Sequence, residues 1–96
     1  MKLRMLCRNR VKSFERWWAV FQSHTDAHLK AGLVLEHLWR VVGDQEEIFF
    51  VFEVRSIDEA EAFINAPGSA ESGEEAGVLS GECHFVESAP LSRVGG

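Results

Sequence analysis

Alternating apolar and polar residues between Leu33 and Val54 predict two β-strands at the centre of the chain. This segment is dense in β-branched and aromatic residues, which fit a pleated and half-buried surface. The polar run at 43–46 interrupts the pattern and predicts a turn centred on Asp44 and Gln45. We therefore expect a β-hairpin, around which the other elements are arranged.

The position of this turn determines which residues share a face of the hairpin. With the turn placed there, Trp39 lies opposite Phe50, and His37 is expected opposite Phe52. One face is almost entirely apolar and is expected to lie under helices. It consists of Leu33, Leu35, His37, Trp39, Val41, Ile48, Phe50, Phe52 and Val54. The other face mixes charged and apolar residues, so we expect it to be neither an ordinary solvent-exposed face nor part of the core under the helices. It consists of Val34, Glu36, Leu38, Arg40, Val42, Glu47, Phe49, Val51, Glu53 and Arg55.

The residues before the hairpin predict a strand and then a helix. Residues 2–11 alternate, and the odd positions form the more apolar side. Ser13 can cap the following helix through its hydroxyl, and Gly32 can end it in a left-handed conformation. The apolar stripe of this helix consists of Phe14, Trp17, Trp18, Phe21, Thr25, His28 and Leu29.

The residues after the hairpin predict a second helix and a final strand. Ser56 to Glu59 matches a capping box, and Pro67 ends the helix that it begins. Residues 68–76 are small, acidic and interrupted by glycine, so we expect at most a weak helix there. The last strand is predicted at 82–87.

The element order β-α-β-β-α-β predicts an α+β fold of the ferredoxin-like type. Right-handed crossovers give a four-stranded antiparallel sheet in the order 4-1-3-2, with both helices on one face. We expect one domain over residues 1–88 and a mobile tail over residues 89–96.

Composition and charge limit the classes of partner. The chain has 96 residues and a net charge of −5, yet its first sixteen residues are basic. We expect this basic strand to be neutralised by acidic elements within the fold or across a dimer, and we predict no nucleic-acid partner. The apolar runs are far shorter than the ~20 residues that span a bilayer. With no secretory signal recognised, we expect a cytoplasmic protein that carries Cys7 and Cys83 as reduced thiols and has no membrane partner.

Several scattered positions resemble the dimeric α+β barrel superfamily, the group containing antibiotic-biosynthesis monooxygenase-like proteins. They are the run Asn9-Arg10-Val11-Lys12-Ser13-Phe14-Glu15-Arg16-Trp17, then Phe21, Ala31-Gly32, Arg40, Glu53 and Ala76-Gly77-Val78. The resemblance spans residues 5–87 and implies a homodimer in which two sheets pair face to face. The expected apolar contacts are Leu6, Leu38, Phe49 and Val51, with Arg4, Arg8, Arg10 and Arg40 meeting Glu36 and Glu53. The superfamily includes cofactor-free oxygenases, haem-degrading enzymes, isomerases and members without an assigned reaction. Relatives often have histidine in place of Asn9 and aspartate in place of Ser13.

A ligand site is predicted in the space between the helices and the sheet. We expect His28, His37 and Asn9 to point into it as candidate catalytic residues. A neutral histidine could take a proton from a phenolic or enolic substrate, and Asn9 could hold an oxyanion. The candidate ligand-binding residues are His24, Trp17, Trp39, Phe50 and Phe52.

Two classes of function stay open at this point. One is a small homodimeric protein that binds an aromatic or enolic molecule and acts as a cofactor-independent monooxygenase or isomerase. The other is a non-catalytic ligand-binding or structural dimer whose interior is filled by its own tryptophans. His24 and His28 lie one helical turn apart, but no third ligand is evident, so we predict no metal and no cofactor.

Overall fold

The fold was established from a computed structural model, which describes residues 2–89. Its elements are β1 (Leu3–Val11), α1 (Phe14–Ser23), α2 (Thr25–Lys30), β2 (Leu33–Val41), β3 (Asp44–Val54), α3 (Ile57–Asn65), α4 (Pro67–Ala76) and β4 (Val78–Glu87). The strands form one antiparallel sheet in the order β2-β3-β1-β4. The helices pack on one face of this sheet. The predicted ferredoxin-like α+β fold and its strand order are therefore confirmed.

Serine hydroxyls cap the helices that follow β1 and β3, as predicted. The Ser13 hydroxyl accepts a hydrogen bond from the backbone N–H of Arg16 at 3.3 Å. The Ser56 hydroxyl accepts one from the N–H of Glu59 at 3.2 Å. These bonds satisfy amides that have no partner within the helix and fix where each helix begins.

The first predicted helix is divided in two by His24. This residue has φ −103° and ψ 13°, so it interrupts the helical backbone between α1 and α2. Gly32 ends α2 with φ +77°, as the sequence predicted.

Residues 67–76 form a ten-residue helix although their composition predicted at most a weak one. Both ends of α4 are favoured by their sequence. Pro67 occupies the first turn, and Gly77 follows the helix with φ +77°. The final strand begins directly after Gly77 and is therefore longer than predicted. Within residues 2–89, no helix is long and apolar enough to cross a membrane. The predicted mobile tail lies outside the described residues, apart from Ala89.

The predicted register of the hairpin is wrong. Val41 pairs with Asp44, so Val42 and Gly43 connect the strands, and Gly43 adopts φ +87°. Further along, Trp39 pairs with Phe49 and not with Phe50. A β-bulge at Glu36 adds one residue to β2 between Leu35 and His37 and changes the phase of the strand.

This bulge places four side chains on the face opposite to the one predicted. Leu38 pairs with Phe50 and packs against the core under the helices. The Arg40 guanidinium lies 4.1 Å from the centre of the Phe14 ring, also on the helix side. His37 and Trp39 alternate with these two residues along the strand and consequently lie on the open face.

The core lies between the sheet and the helices and is centred on Trp17. The Trp17 side chain is 2% exposed, and its ring centre lies 4.9 Å from that of Phe21 and 5.3 Å from that of Phe50. Around it are the buried residues Met5, Cys7, Val11, Leu33, Ile48, Phe52, Val54, Ala60 and Ala76. Aliphatic side chains and aromatic rings thus fill the interior together, and Trp17 occupies its middle.

Candidate functional site

A cavity of about 270 Å³ opens between the first two helices and the β2–β3 end of the sheet. Its lining is mostly apolar and aromatic. The residues that form it are Trp18, Phe21, Gln22, Thr25, His28, Leu29, Leu33, Val34, Leu35 and Phe52. Small-molecule sites are typically of this kind, with an apolar wall and a few polar groups that orient the ligand.

His28 is the ionisable residue in this wall. Its ring is held among three phenylalanines, with centres 4.7 Å from Phe21, 5.4 Å from Phe52 and 5.4 Å from Phe63. Burial, and then the nearby His24, lower the pKa of His28 to about 4. The imidazole is therefore neutral at pH 7, with one nitrogen that donates and one that accepts. No side chain or carbonyl of residues 2–89 hydrogen-bonds to the ring, and neither nitrogen is sealed from solvent.

His24 does not share this cavity with His28. It lies at the junction of α1 and α2, and its Nε2 is 3.3 Å from the Ser72 hydroxyl of α4. This contact links the helix junction to α4. Within residues 2–89 no group of three or more histidine, cysteine or acidic side chains could hold a metal ion.

Asn9 lies on the helix side of the sheet, as predicted, but its amide is already used by the core. Its oxygen accepts from the Trp17 indole at 3.1 Å, and its nitrogen donates to the Arg8 carbonyl at 2.9 Å, in the amide orientation that satisfies both. Asn9 is not part of the cavity wall beside His28. The amide therefore positions Trp17 and is not directed at a ligand in that cavity.

His37 and Trp39 are separated from the cavity by the sheet. Their rings stack on each other with centres 5.2 Å apart, on the open face next to Val51 and Phe49. The prediction that His28 and His37 project into one space is wrong, because the bulge at Glu36 reverses the phase of this part of β2.

Of the eight predicted site residues, His28 and Phe52 line the cavity. Phe50 and Trp17 lie behind its wall in the closed core. Trp18 and Thr25 also line the cavity but were not predicted as site residues, although both lie in the predicted apolar stripe of the first helix. Their place in that stripe was the signal that could have identified them. Leu35 also lines the cavity, and its position in the predicted strand had already placed it on the helix side.

The open face carries a row of ion pairs around an apolar centre. Arg4 binds Glu36 at 2.7 Å, and Arg8 binds Glu47 at 2.7 Å. Arg10 binds Asp44 at 2.8 Å and thereby lowers the pKa of that carboxyl. The remaining ion pairs on this face are Lys2–Glu53, Arg8–Glu82 and Arg10–Glu47. His84 Nε2 lies 2.7 Å from a carboxylate oxygen of Glu82. The predicted neutralisation of the basic strand thus occurs within the chain.

The centre of the open face is apolar, and none of the helices formed by residues 2–89 lies above it. Val51 is 7% exposed, whereas Trp39 is 48% and Leu6 is 37% exposed. Leu6 pairs with Val51, and Trp39 pairs with Phe49, so these side chains form one continuous patch. We call Leu6, Trp39, Phe49 and Val51 the open-face patch. The bulge contributes Trp39 to it and removes Leu38, which the sequence had predicted there.

Solved structures share this fold at low sequence identity. A candidate antibiotic biosynthesis monooxygenase from Bordetella bronchiseptica matches with a TM-score of 0.74 and 11% identity, over 93% of this chain and 98% of that one. The cofactor-independent oxygenase SnoaB from Streptomyces nogalater matches with a TM-score of 0.73 and 13% identity, over 96% and 97%. A conserved protein from Methanosarcina mazei matches with a TM-score of 0.69 and 14% identity, over 93% and 94%. No protein-family model and no curated protein matches the sequence. The predicted resemblance to monooxygenase-like proteins is confirmed as a likeness of fold.

Proposed function

We propose that this protein binds a small aromatic or enolic molecule in the cavity beside His28. The observation that carries the proposal is a neutral imidazole without a hydrogen-bond partner among the described residues, set in an apolar wall. A hydroxyl on the ligand would donate to the free nitrogen of His28, while Phe21, Phe52 and Trp18 would contact the ring. A volume of about 270 Å³ suits a ligand of one or two rings.

Binding is better supported than general-base catalysis by His28. A base works best when its pKa is near the working pH, and the pKa of His28 is about 4. Taking a proton from a phenol, with a pKa of about 10, would be uphill by roughly 8 kcal/mol at 1.36 kcal/mol per unit. A cofactor-independent oxygenase or isomerase reaction is the second candidate. It is supported by the fold shared with SnoaB, and it requires a substrate far more acidic than a phenol.

We further propose that two copies associate through the open-face patch. The Trp39 side chain is about half exposed and the Leu6 side chain about one-third exposed, and both are large apolar groups in the same patch as Phe49. Covering them with a second sheet would remove this surface from water at about 25 cal/mol per Å². The arginines around the patch are already paired within the chain, so apolar contact would supply the attraction.

The ligand proposal is tested by comparing 2-naphthol with 2-methoxynaphthalene, which has no hydroxyl donor. We expect the protein to bind 2-naphthol about 3- to 10-fold more tightly, as one neutral hydrogen bond allows. His28→Phe should remove this preference, whereas the matched variant His37→Phe on the opposite face should retain it. Dissociation constants follow from amide chemical shifts in an NMR titration. A preference that persists in His28→Phe would overturn the proposal.

A further inference from the structure

The sheet brings together the two cysteines of the chain, which lie far apart in sequence. Cys7 on β1 and Cys83 on β4 are direct cross-strand neighbours in the antiparallel pair. Directly opposed residues have Cα atoms about 4.5 or 5.5 Å apart, and both separations lie within the range of about 4.4 to 6.8 Å found for disulfides. Both are free thiols in this structure. A disulfide between them needs no rearrangement of the strands.

The two thiols have opposite access to solvent. Cys7 is 1% exposed and lies in the core, whereas Cys83 is exposed. Cys83 also lies in the wall of a second cavity, of about 340 Å³, between α3 and the β1–β4 edge. Its other lining residues are Asn9, Glu61, Ile64, Asn65, Gly81, Glu82 and Phe85. A small oxidant in this cavity would reach Cys83 and not Cys7.

We propose that Cys83 is a site of oxidation by small, uncharged peroxides, with Cys7 as the resolving thiol. Uncharged oxidants are favoured because the Glu61 carboxylate in the cavity wall would repel anions. The Cys83 thiolate attacks one peroxide oxygen, the O–O bond breaks, and Cys83 becomes a sulfenic acid as hydroxide leaves. The Cys7 sulfur then attacks the sulfenic sulfur. Its proton leaves with the hydroxyl as water, and a Cys7–Cys83 disulfide forms.

The electrostatics of the pair favour these roles. A hydrogen bond with the Cys7 thiol, and then the neighbouring His84, lower the pKa of Cys83 against the opposing effects of burial and Glu82. The same hydrogen bond, and then burial, raise the pKa of Cys7. Thiolate therefore forms first on the accessible sulfur, and the thiolate is the nucleophilic form.

The test is peptide mapping of the full-length protein after treatment with hydrogen peroxide and blocking of the remaining thiols. We expect an intramolecular Cys7–Cys83 disulfide in the wild type. In Cys7→Ala, Cys83 should stop at the sulfenic acid, and labelling by dimedone should be at least about tenfold above that of the wild type. In Cys83→Ser, Cys7 should stay reduced because it is buried.

Native alkylation without peroxide supplies a measurement that needs no variant. Iodoacetamide should modify Cys83 at least about a hundredfold faster than Cys7, because a buried thiol reacts only in rarely opened molecules. This comparison and the wild-type peptide map decide the matter if Cys7→Ala fails to fold. Two results would overturn the proposal. One is equal alkylation of both thiols. The other is peroxide oxidation after which Cys7 can still be alkylated while Cys83 has stopped at sulfenic acid or joined another Cys83.

Discussion

The two faces of the sheet are built from the same strands but hold their side chains in different ways. On the helix side, rings pack around Trp17, and the amide of Asn9 is satisfied by the indole and a carbonyl. On the open side, ion pairs surround an apolar patch that no helix in the described part of the chain covers. The helix-side face is therefore covered by the chain itself, whereas the apolar patch of the open face is left uncovered by the described residues.

This difference indicates that the faces contribute unequally to stability. Full burial of an apolar side chain contributes about 1.5–3 kcal/mol, whereas a solvent-exposed ion pair contributes little, because water screens the charges and long side chains lose freedom. We therefore assign most of the stability of the monomer to the helix side. The open face should matter more for the proposed association than for folding.

Two tryptophans allow the largest test of this comparison. Trp17→Ala should lower the free energy of unfolding by about 3–5 kcal/mol, because it leaves a cavity and removes the donor that satisfies Asn9. Trp39→Ala, on the half-exposed patch, should cost less than about 1 kcal/mol in the monomer. Urea denaturation at low protein concentration measures both. Equal losses would contradict the assignment of stability to the helix side.

A charge in the open-face patch should have the next largest effect, and it acts on association. Leu6→Asp places a carboxylate in the proposed interface and should weaken self-association at least about a hundredfold, or roughly 2.7 kcal/mol. Val42→Asp is the control, since Val42 is 98% exposed in the hairpin turn and outside the patch. Sedimentation velocity over a concentration series measures the change. A wild type that stays monomeric throughout would refute the proposed dimer.

The pH dependence of stability should report His28 on the helix side. Its pKa is about 4 in the folded protein and 6.5 in the reference state, so the unfolded chain binds more protons between these values. The free energy of unfolding should therefore fall as pH decreases from 6.5 to 4. After allowance for partial exposure we expect a loss of about 1–2 kcal/mol. His28→Phe should abolish this part of the pH profile, and a profile that His28→Phe leaves intact would refute the assignment.

The ion pairs of the open face should give the smallest change. Arg10→Gln removes the partner that lowers the pKa of Asp44. The contribution of this pair is present above the ordinary pKa of an aspartate and is lost as pH falls through the lowered value. Urea midpoints at pH 7 should therefore drop slightly in Arg10→Gln, and the difference should vanish in strong acid. A drop as large as that of Trp17→Ala would contradict the comparison.

The fold could be predicted from the sequence because its signals are local and agree with one another. Serine caps at Ser13 and Ser56, glycine after α2, and alternation in the strands each specify one element. The order of those elements then leaves few arrangements of the sheet. Helix α4 was underestimated, since its weak composition was weighed without its favourable ends at Pro67 and Gly77.

The site could be predicted only in part, because it depends on the phase of one strand. His28 and Phe52 were placed correctly by helical and strand periodicity. His37 was misplaced by the bulge, and no turn residue or glycine in the sequence marks that bulge. The engagement of Asn9 by Trp17 also depends on tertiary contact, which no local pattern encodes.

The bulge at Glu36 means that the faces of β2 do not follow plain alternation along the gene. Loss of that single codon would join Leu35 to His37 in regular alternation and keep the same four strands. His37 and Trp39 would stay on the open face and Leu38 and Arg40 on the helix side, because the observed pairs already run without a gap when Glu36 is left out. A gene one codon shorter at this point would thus encode the same two surfaces.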